Sequence, residues 1–176
     1  MLYNDLTLDK LEKEPHGILF DCGDDDLNEF LLKDAFLQQE QLLSATYLVC
    51  KGKDIVAYFS VLNDSISADK RMKKALPHGK RYKTFPAVKI GRFAVNNDYQ
   101  GTGVGGDLIN FLKLFFVVKN KTGCRYLIAD AYNKEKVVGF YLRNGFEILT
   151  QEDKNKETRA MYFDLISTKK RLLKEN

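Results

Sequence analysis

Residues 90–107, Ile90-Gly91-Arg92-Phe93-Ala94-Val95-Asn96-Asn97-Asp98-Tyr99-Gln100-Gly101-Thr102-Gly103-Val104-Gly105-Gly106-Asp107, decide how this chain is read. An apolar run ends in a polar turn, glycines crowd positions 101–106, and a long amphipathic segment follows. Lacking a Cβ, glycine lets backbone approach a ligand and takes positive φ without strain. Successive N–H groups in such a turn point into one concavity, and a helix start adds its own free N–H groups and dipole. The stretch reads as a phosphate cradle between a strand and a helix.

Its spacing separates it from better-known cradles. A P-loop needs a Lys-Ser or Lys-Thr pair after its last glycine, and Gly106-Asp107 is not one. Gly101-Thr102-Gly103 followed by Gly106 satisfies G-x-G-x-x-G. A dinucleotide site, however, belongs to an early βαβ unit, and these glycines lie past mid-chain. Gln100-x-x-Gly103-x-Gly105, after a strand ending Arg92-Phe93-Ala94-Val95, resembles the acetyl-CoA motif of the GNAT family of N-acetyltransferases. One strand and one helix downstream, Phe140-Tyr141-x-x-x-Gly145-Phe146 resembles that family's second signature, Tyr-x-x-x-Gly-Phe at the end of the last helix. The order and separation of the two motifs carry the resemblance, which runs from Phe20 to about Phe163.

Outside the motifs, composition sets bounds. A chain of 176 residues, 44% hydrophobic and 30% charged, fits one domain over 1–176 and excludes disordered and fibrous classes. Cys22, Cys50 and Cys124 form neither a metal pattern nor a disulfide framework, which points to a reducing cytoplasm. With His16 and His78 the only histidines, no metal site is expected. No signal-peptide pattern opens the chain, and the apolar run Ile109 to Val118 is short and broken by Lys113, so no membrane association is expected.

Along the chain, Gly17-Ile18-Leu19-Phe20 reads as a first strand, and Asp24-Asp25-Asp26 as caps for a helix carrying Leu27, Phe30 and Leu31. Ala45 to Cys50 and Ile55 to Leu62 read as a hairpin across Lys51-Gly52-Lys53-Asp54. From Asp69 to Arg92 the chain carries Lys70, Arg71, Lys73, Lys74, Lys80, Arg81, Lys83, Lys89 and Arg92 against Asp69 alone. This is either a solvated face or a rim for a polyanion such as cofactor phosphates or RNA. Strand Val88 to Val95, the glycine turn, a helix faced by Leu108, Ile109, Leu112, Phe115 and Phe116, and strand Tyr126 to Ala131 follow in order. Gly123 reads as the C-cap of that helix. A helix from Lys134 to Arg143, a closing hairpin of Phe146–Leu149 with Arg159–Ile166, and a loose basic tail at 167–176 complete the chain.

The resemblance implies an α/β (α+β) fold, a single GNAT-like domain whose mixed central sheet splays in a V between the strands ending at Val95 and near Ala131. Helices would flank both faces. Acetyl-CoA would be the cofactor, its pantetheine arm pairing with backbone of Phe93, Ala94 and Val95. Its pyrophosphate would rest on Gln100, Gly101, Thr102, Gly103, Val104, Gly105 and Gly106. Asn133 matches a polar cofactor-contacting position, one residue further from Tyr141 than in many members.

The chemistry would be direct attack of a neutral amine on the thioester, with positioning supplying most of the rate. Backbone N–H near Val95 would polarise the carbonyl. Tyr141, protonated at neutral pH, suits the general acid that protonates the leaving thiolate. No Glu or His presents itself as a base. A lysine amine near pKa about 10.4 must lose a proton at cost, whereas an α-amine near about 7.7–8.0 is partly neutral already.

Phe20-Asp21-Cys22-Gly23, Leu27-x-x-Phe30-Leu31, Ala35 and Pro86 to Val95 are similar to the GNAT-type toxins, which acetylate the α-amino group of aminoacyl-tRNA. That likeness implies charged tRNA as amine acceptor, with Lys80, Arg81, Lys83 and Arg92 as RNA contacts. It also implies an antitoxin partner; a homodimer is a separate expectation that does not follow from that likeness. The alternatives are the same chemistry on a small-molecule or protein amine, and a catalytically degenerate module that binds acyl-CoA or RNA.

Overall fold

The computed structural model describes residues 5–15, 17–67, 82–118, 120 and 123–175. Its frame is a seven-stranded sheet of β1 (Leu6–Lys10), β2 (Ala45–Lys51), β3 (Asp54–Ser67), β4 (Thr84–Val95), β5 (Tyr126–Tyr132), β6 (Glu147–Ile148) and β7 (Thr158–Asp164). They lie in the order β1-β2-β3-β4-β5-β7-β6. Every neighbour pair is antiparallel except β4 and β5. A parallel pair needs a crossover, and α3 (Val104–Val117) supplies it. The other helices are α1 (Asp25–Glu29), running through a π-helical turn at Phe30–Asp34 into α2 (Ala35–Glu40), then α4 (Glu135–Arg143) and α5 (Leu165–Glu175).

The pairing of β4 shapes the site. On one side it stays with β3 as far as Ala57↔Val95. On the other, its pairing with β5 runs only from Ala87↔Tyr126 to Ile90↔Ala129, and beyond that the strands part. The departure coincides with a bulge, because the register passes from Val61↔Ile90 to Ser60↔Arg92 and leaves Gly91 without an opposite residue. A bulge bends its strand and adds twist, which turns the end of β4 away from β5. A Cβ at position 91 would lie 2.8 Å from Cδ2 of Leu62, so a larger residue requires Leu62 to move.

Alternation along the strands divides the core. On one face Val88 and Ile90 meet the fully buried Leu108, Ile109 and Leu112 of α3, with Tyr141 of α4 and Leu165 of α5. Each of these aliphatic side chains contributes about 1.5–3 kcal/mol on burial. On the other face Ile55, Tyr58 and Ala94 pack against Phe30, Leu31 and Ala35. The sheet is therefore helix-covered on both faces, as expected.

Several local expectations are corrected. Residues 17–20 are not a strand; Gly17 turns with φ +69°, and Phe20 is 7% exposed because it packs edge-on to Tyr58. An apolar run that fills a core from a loop looks like a strand in sequence but has no ladder partner. The first strand is Leu6–Lys10 instead, on the sheet edge beside β2. Gly123 does not cap α3, whose C-cap is the extended Val118.

The last strand stops at Asp164. Its carboxylate takes two hydrogen bonds from Arg125 (2.8 and 2.7 Å) and a third from the Ile166 amide (3.0 Å), which starts α5. The stretch expected as a loose basic tail is thus helical, with Leu165 and Thr168 buried. His16, His78 and most of the basic segment, 68–81, lie outside the described residues.

Candidate functional site

The glycine turn is built as a cradle. Gly103 is the N-cap of α3 at φ +94°, a left-handed conformation that costs any L-residue roughly 1–2 kcal/mol. No side chain caps α3, so its first amides and the positive end of its dipole face outward. A Cβ on Gly103 would meet nothing within 4 Å; it would project into the space where a phosphate would sit. Gly105 serves packing instead, since a Cβ there would lie 3.3 Å from the Phe140 ring.

Gln100 fastens the turn. Its amide nitrogen lies within 3.0 Å of the Cys22, Val95 and Asn97 oxygens. Asp21 accepts from the side-chain amides of Asn28 (2.9 Å) and Asn97 (3.1 Å). The Gly23 amide, then Asn28, hold the Asp21 carboxyl below its ordinary pKa. The Phe20–Gly23 segment, singled out in sequence for another reason, is therefore a clip on the cradle.

Between the diverging strands lies a cavity of about 1480 Å³, larger than the roughly 300–1,000 Å³ of ordinary ligand sites. Phe93, Ala94 and Val95 line it with an edge that pairs with β3 alone, which leaves backbone groups on the β5 side for an extended ligand. Gln100, Gly101, Gly103, Gly105 and Gly106 continue the lining toward the cradle. A free strand edge leading to uncapped helix amides fits the pantetheine and pyrophosphate of acetyl-CoA.

Tyr141 lines the same cavity from α4 and is 6% exposed, its ring edge-on to Phe140 and Phe146. Burial pushes its hydroxyl well above the ordinary phenol pKa, so it holds its proton throughout the neutral range. The rest of the second motif ends the helix, the Phe146 amide bonding the Tyr141 carbonyl at 3.0 Å. Lys113, which interrupts the apolar run of α3, is buried and donates to the Asn144 carbonyl at 2.6 Å. It ties α3 to the end of α4 and so positions Tyr141. Burial, and secondarily Arg171, lower its pKa.

Other expected residues lie elsewhere. Asn133 does not line the cavity; its side chain donates to the Lys154 and Lys156 carbonyls (2.9 and 2.8 Å) and pins the loop before β7. The extra residue between Asn133 and Tyr141 is consistent with that displacement. Thr102 bonds back to the Tyr99 carbonyl at 2.7 Å, and Val104 turns into the core. Lys80 and Arg81 lie outside the described residues, and Lys83 is exposed at the start of β4. Arg92 does enter the cavity, its guanidinium 4.9 Å from the Phe30 ring centroid.

Sequence reasoning missed Asp26 and Tyr132. Both line the cavity, and the Tyr132 hydroxyl donates to Asp26 at 3.2 Å. Asp26 shows only as one of three adjacent helix-capping aspartates, so nothing local marks it. Burial, then the Asp26 charge, raise the Tyr132 pKa. Deeper in the V, Lys89 pairs with Asp130.

Residues 44–148 match the acetyltransferase (GNAT) domain family. A tRNA-acetylating toxin of Mycobacterium tuberculosis (strain ATCC 25618 / H37Rv) is 24% identical over 133 residues, 73% of this chain and 76% of that protein. Among solved structures, AtaT complexed with acetyl-methionyl-tRNAfMet is similar at TM-score 0.75 and 25% identity, covering 94% of this chain and 98% of that one. A tyrosine-to-phenylalanine mutant of the AtaT toxin, bound to the C-terminus of the antitoxin AtaR and acetyl-CoA, is similar at TM-score 0.68 and 22% identity, covering 93% and 96%.

Proposed function

This chain belongs to the acetyltransferase (GNAT) family, and from that premise we propose that its acceptor is the α-amino group of aminoacyl-tRNA. It is an acetyl-CoA-dependent N-acetyltransferase. The observation that carries the finer reading is its likeness, across 94% of the chain, to AtaT complexed with acetyl-methionyl-tRNAfMet. The similarity to a tRNA-acetylating toxin supports it independently. An antitoxin is the protein partner this reading implies, by analogy with AtaT and AtaR.

Each part of the site then has a task. Acetyl-CoA supplies the thioester, whose C–S bond breaks as the C–N bond to the amine forms. The amides at the start of α3 neutralise the phosphates, and the free edge of Phe93–Val95 aligns the acetyl arm and offers N–H to the developing oxyanion. Tyr141 gives its proton to the departing sulfur, and the proton that the nitrogen loses on becoming an amide returns through solvent to the tyrosinate. Among the described residues no His or Glu lines the cavity, which suits an α-amine, of which a fraction is already neutral near pH 7.

The test is transfer of labelled acetyl from acetyl-CoA to bulk tRNA, charged against deacylated, beside a mixture of polyamines and peptides. Label on charged tRNA alone is expected. Label confined to the amine mixture would replace the acceptor while keeping the enzyme. Label on neither, with acetyl-CoA still bound, would refute this acceptor and favour a binding role.

A further inference from the structure

With acetyl-CoA assigned to the cradle, the opposite face of the sheet is the side left for the acceptor. The cradle and the helix bearing it pack on the face of Val88 and Ile90, whereas α1 covers the face of Tyr58 and Ala94. An amine reaching the middle of the V must therefore pass the residues of the α1 face. Three of them meet there from three elements. Arg92 projects from the β4 arm and Tyr132 from the end of the β5 arm, and Asp26 on α1 lies between them.

The cavity's acids are not equivalent. Asp24 caps α1 through the Leu27 amide at 3.2 Å, and Asp130 is paired with Lys89. Asp26 is held more loosely. It accepts one hydrogen bond from Tyr132, and Arg92 Nε stands 3.8 Å away, beyond hydrogen-bond length. That nitrogen is buried without a hydrogen-bond partner among the described residues, while the Asp26 side chain keeps 61% of its surface exposed. A carboxylate steadied from both arms yet open to the cavity is a receptor for a small cation.

We propose that Asp26, steadied by Tyr132 and Arg92, anchors the acceptor's ammonium group at the mouth of the V. This deepens the reading of the acceptor as an α-amine and rests on it. The anchor explains how a polyanionic acceptor drawn by positive charge places its one cationic group inward: it is the group that a carboxylate selects.

Asp26→Asn tests this, because the amide keeps the shape and an acceptor for Tyr132 while losing the charge. Asp25→Asn, an exposed acid on the same turn and outside the cavity, is the control. With charged tRNA, Asp26→Asn is expected to raise the acceptor KM about tenfold or more, leave acetyl-CoA affinity unchanged, and leave kcat within about twofold, because the nitrogen regains positive charge as its bond to the acetyl carbon forms and Asp26 faces that charge in the transition state as well. Asp26→Glu should recover part of the loss, and Asp25→Asn should change nothing. The KM ratio of variant to wild type should be largest near pH 7 and shrink as pH passes the amine pKa of about 7.7–8.0, where the cation disappears.

An unchanged KM overturns the proposal. So does an equal rise in Asp25→Asn, which would make the effect general charge, or parallel weakening of acetyl-CoA binding, which would make it structural. If the wild type labels an amine other than charged tRNA, the aminoacyl-tRNA reading fails separately, and the same KM comparison on that amine decides Asp26.

Discussion

On the α3 side of the cleft, consecutive residues Gln100–Gly106 form the glycine turn to which we assign the phosphates, and their chemistry is backbone N–H, φ and the missing Cβ. On the α1 side, Asp26, Arg92 and Tyr132 are brought together from three elements, and the chemistry is side-chain charge. A backbone site must be contiguous, because neighbouring amides converge only through a specific run of dihedrals. A side-chain site needs only that the fold deliver each group, so its members can stand 106 residues apart, as Asp26 and Tyr132 do. The two sides should consequently fail in different ways.

The largest effect is expected at the cradle. Gly103→Val places a β-branched residue at φ +94° and fills the open space beside the α3 amides. Acetyl-CoA binding by calorimetry should fall beyond about 1,000-fold, some 4 kcal/mol, while the far-UV dichroism stays near wild type. Retained binding would show that the phosphates rest elsewhere.

Tyr141→Phe, at the meeting point of the two sides, should lower kcat by about 100-fold and leave acetyl-CoA affinity within about twofold. Equal loss of both would assign Tyr141 to packing with Phe140 and Phe146 alone.

The pH dependence sharpens the same division. Because burial raises the Tyr141 pKa, its proton is held to higher pH than on a free phenol. Below the amine pKa, turnover should climb about tenfold per pH unit as the acceptor deprotonates, with no descending limb before about pH 10. A fall between pH 8 and 9 would identify a different proton donor. The smallest effect belongs to Asn133→Ala, which should change acetyl-CoA affinity by less than about twofold, because its amide is committed to the loop carbonyls. Tenfold weaker binding would return Asn133 to the cofactor side.

Legibility in sequence followed the same line. The glycine turn, the strand before it, α3 and the end of α4 were readable because each is set by local signals. These are glycines at fixed offsets, a helical stripe of Leu108, Ile109 and Leu112, and Asn144-Gly145 as a stop. The expected strand at Gly17–Phe20 and tail at 167–176 failed because distant residues decide them: Tyr58 takes up Phe20, and Arg125 fixes Asp164 at the head of α5. Asn133 was matched to the cofactor by its place at the start of the last helix, a position that carries no sign of the loop carbonyls twenty residues on to which its amide donates.

The sequence by itself carried the resemblance to the family and, through it, the acetyl donor, and it marked the glycine turn, since those rest on motifs written in consecutive residues. Tertiary structure alone decided where the V opens and what faces the acceptor. The opening depends on the pairing of β4 with β5 ending at Ile90↔Ala129, beside the Gly91 bulge in its register with β3. The charge on the acceptor side depends on α1 lying across both arms, so that one of three adjacent aspartates, Asp26, meets Arg92 and Tyr132. Side-chain convergence over such separations is a property of packing, and packing is settled by the whole chain at once.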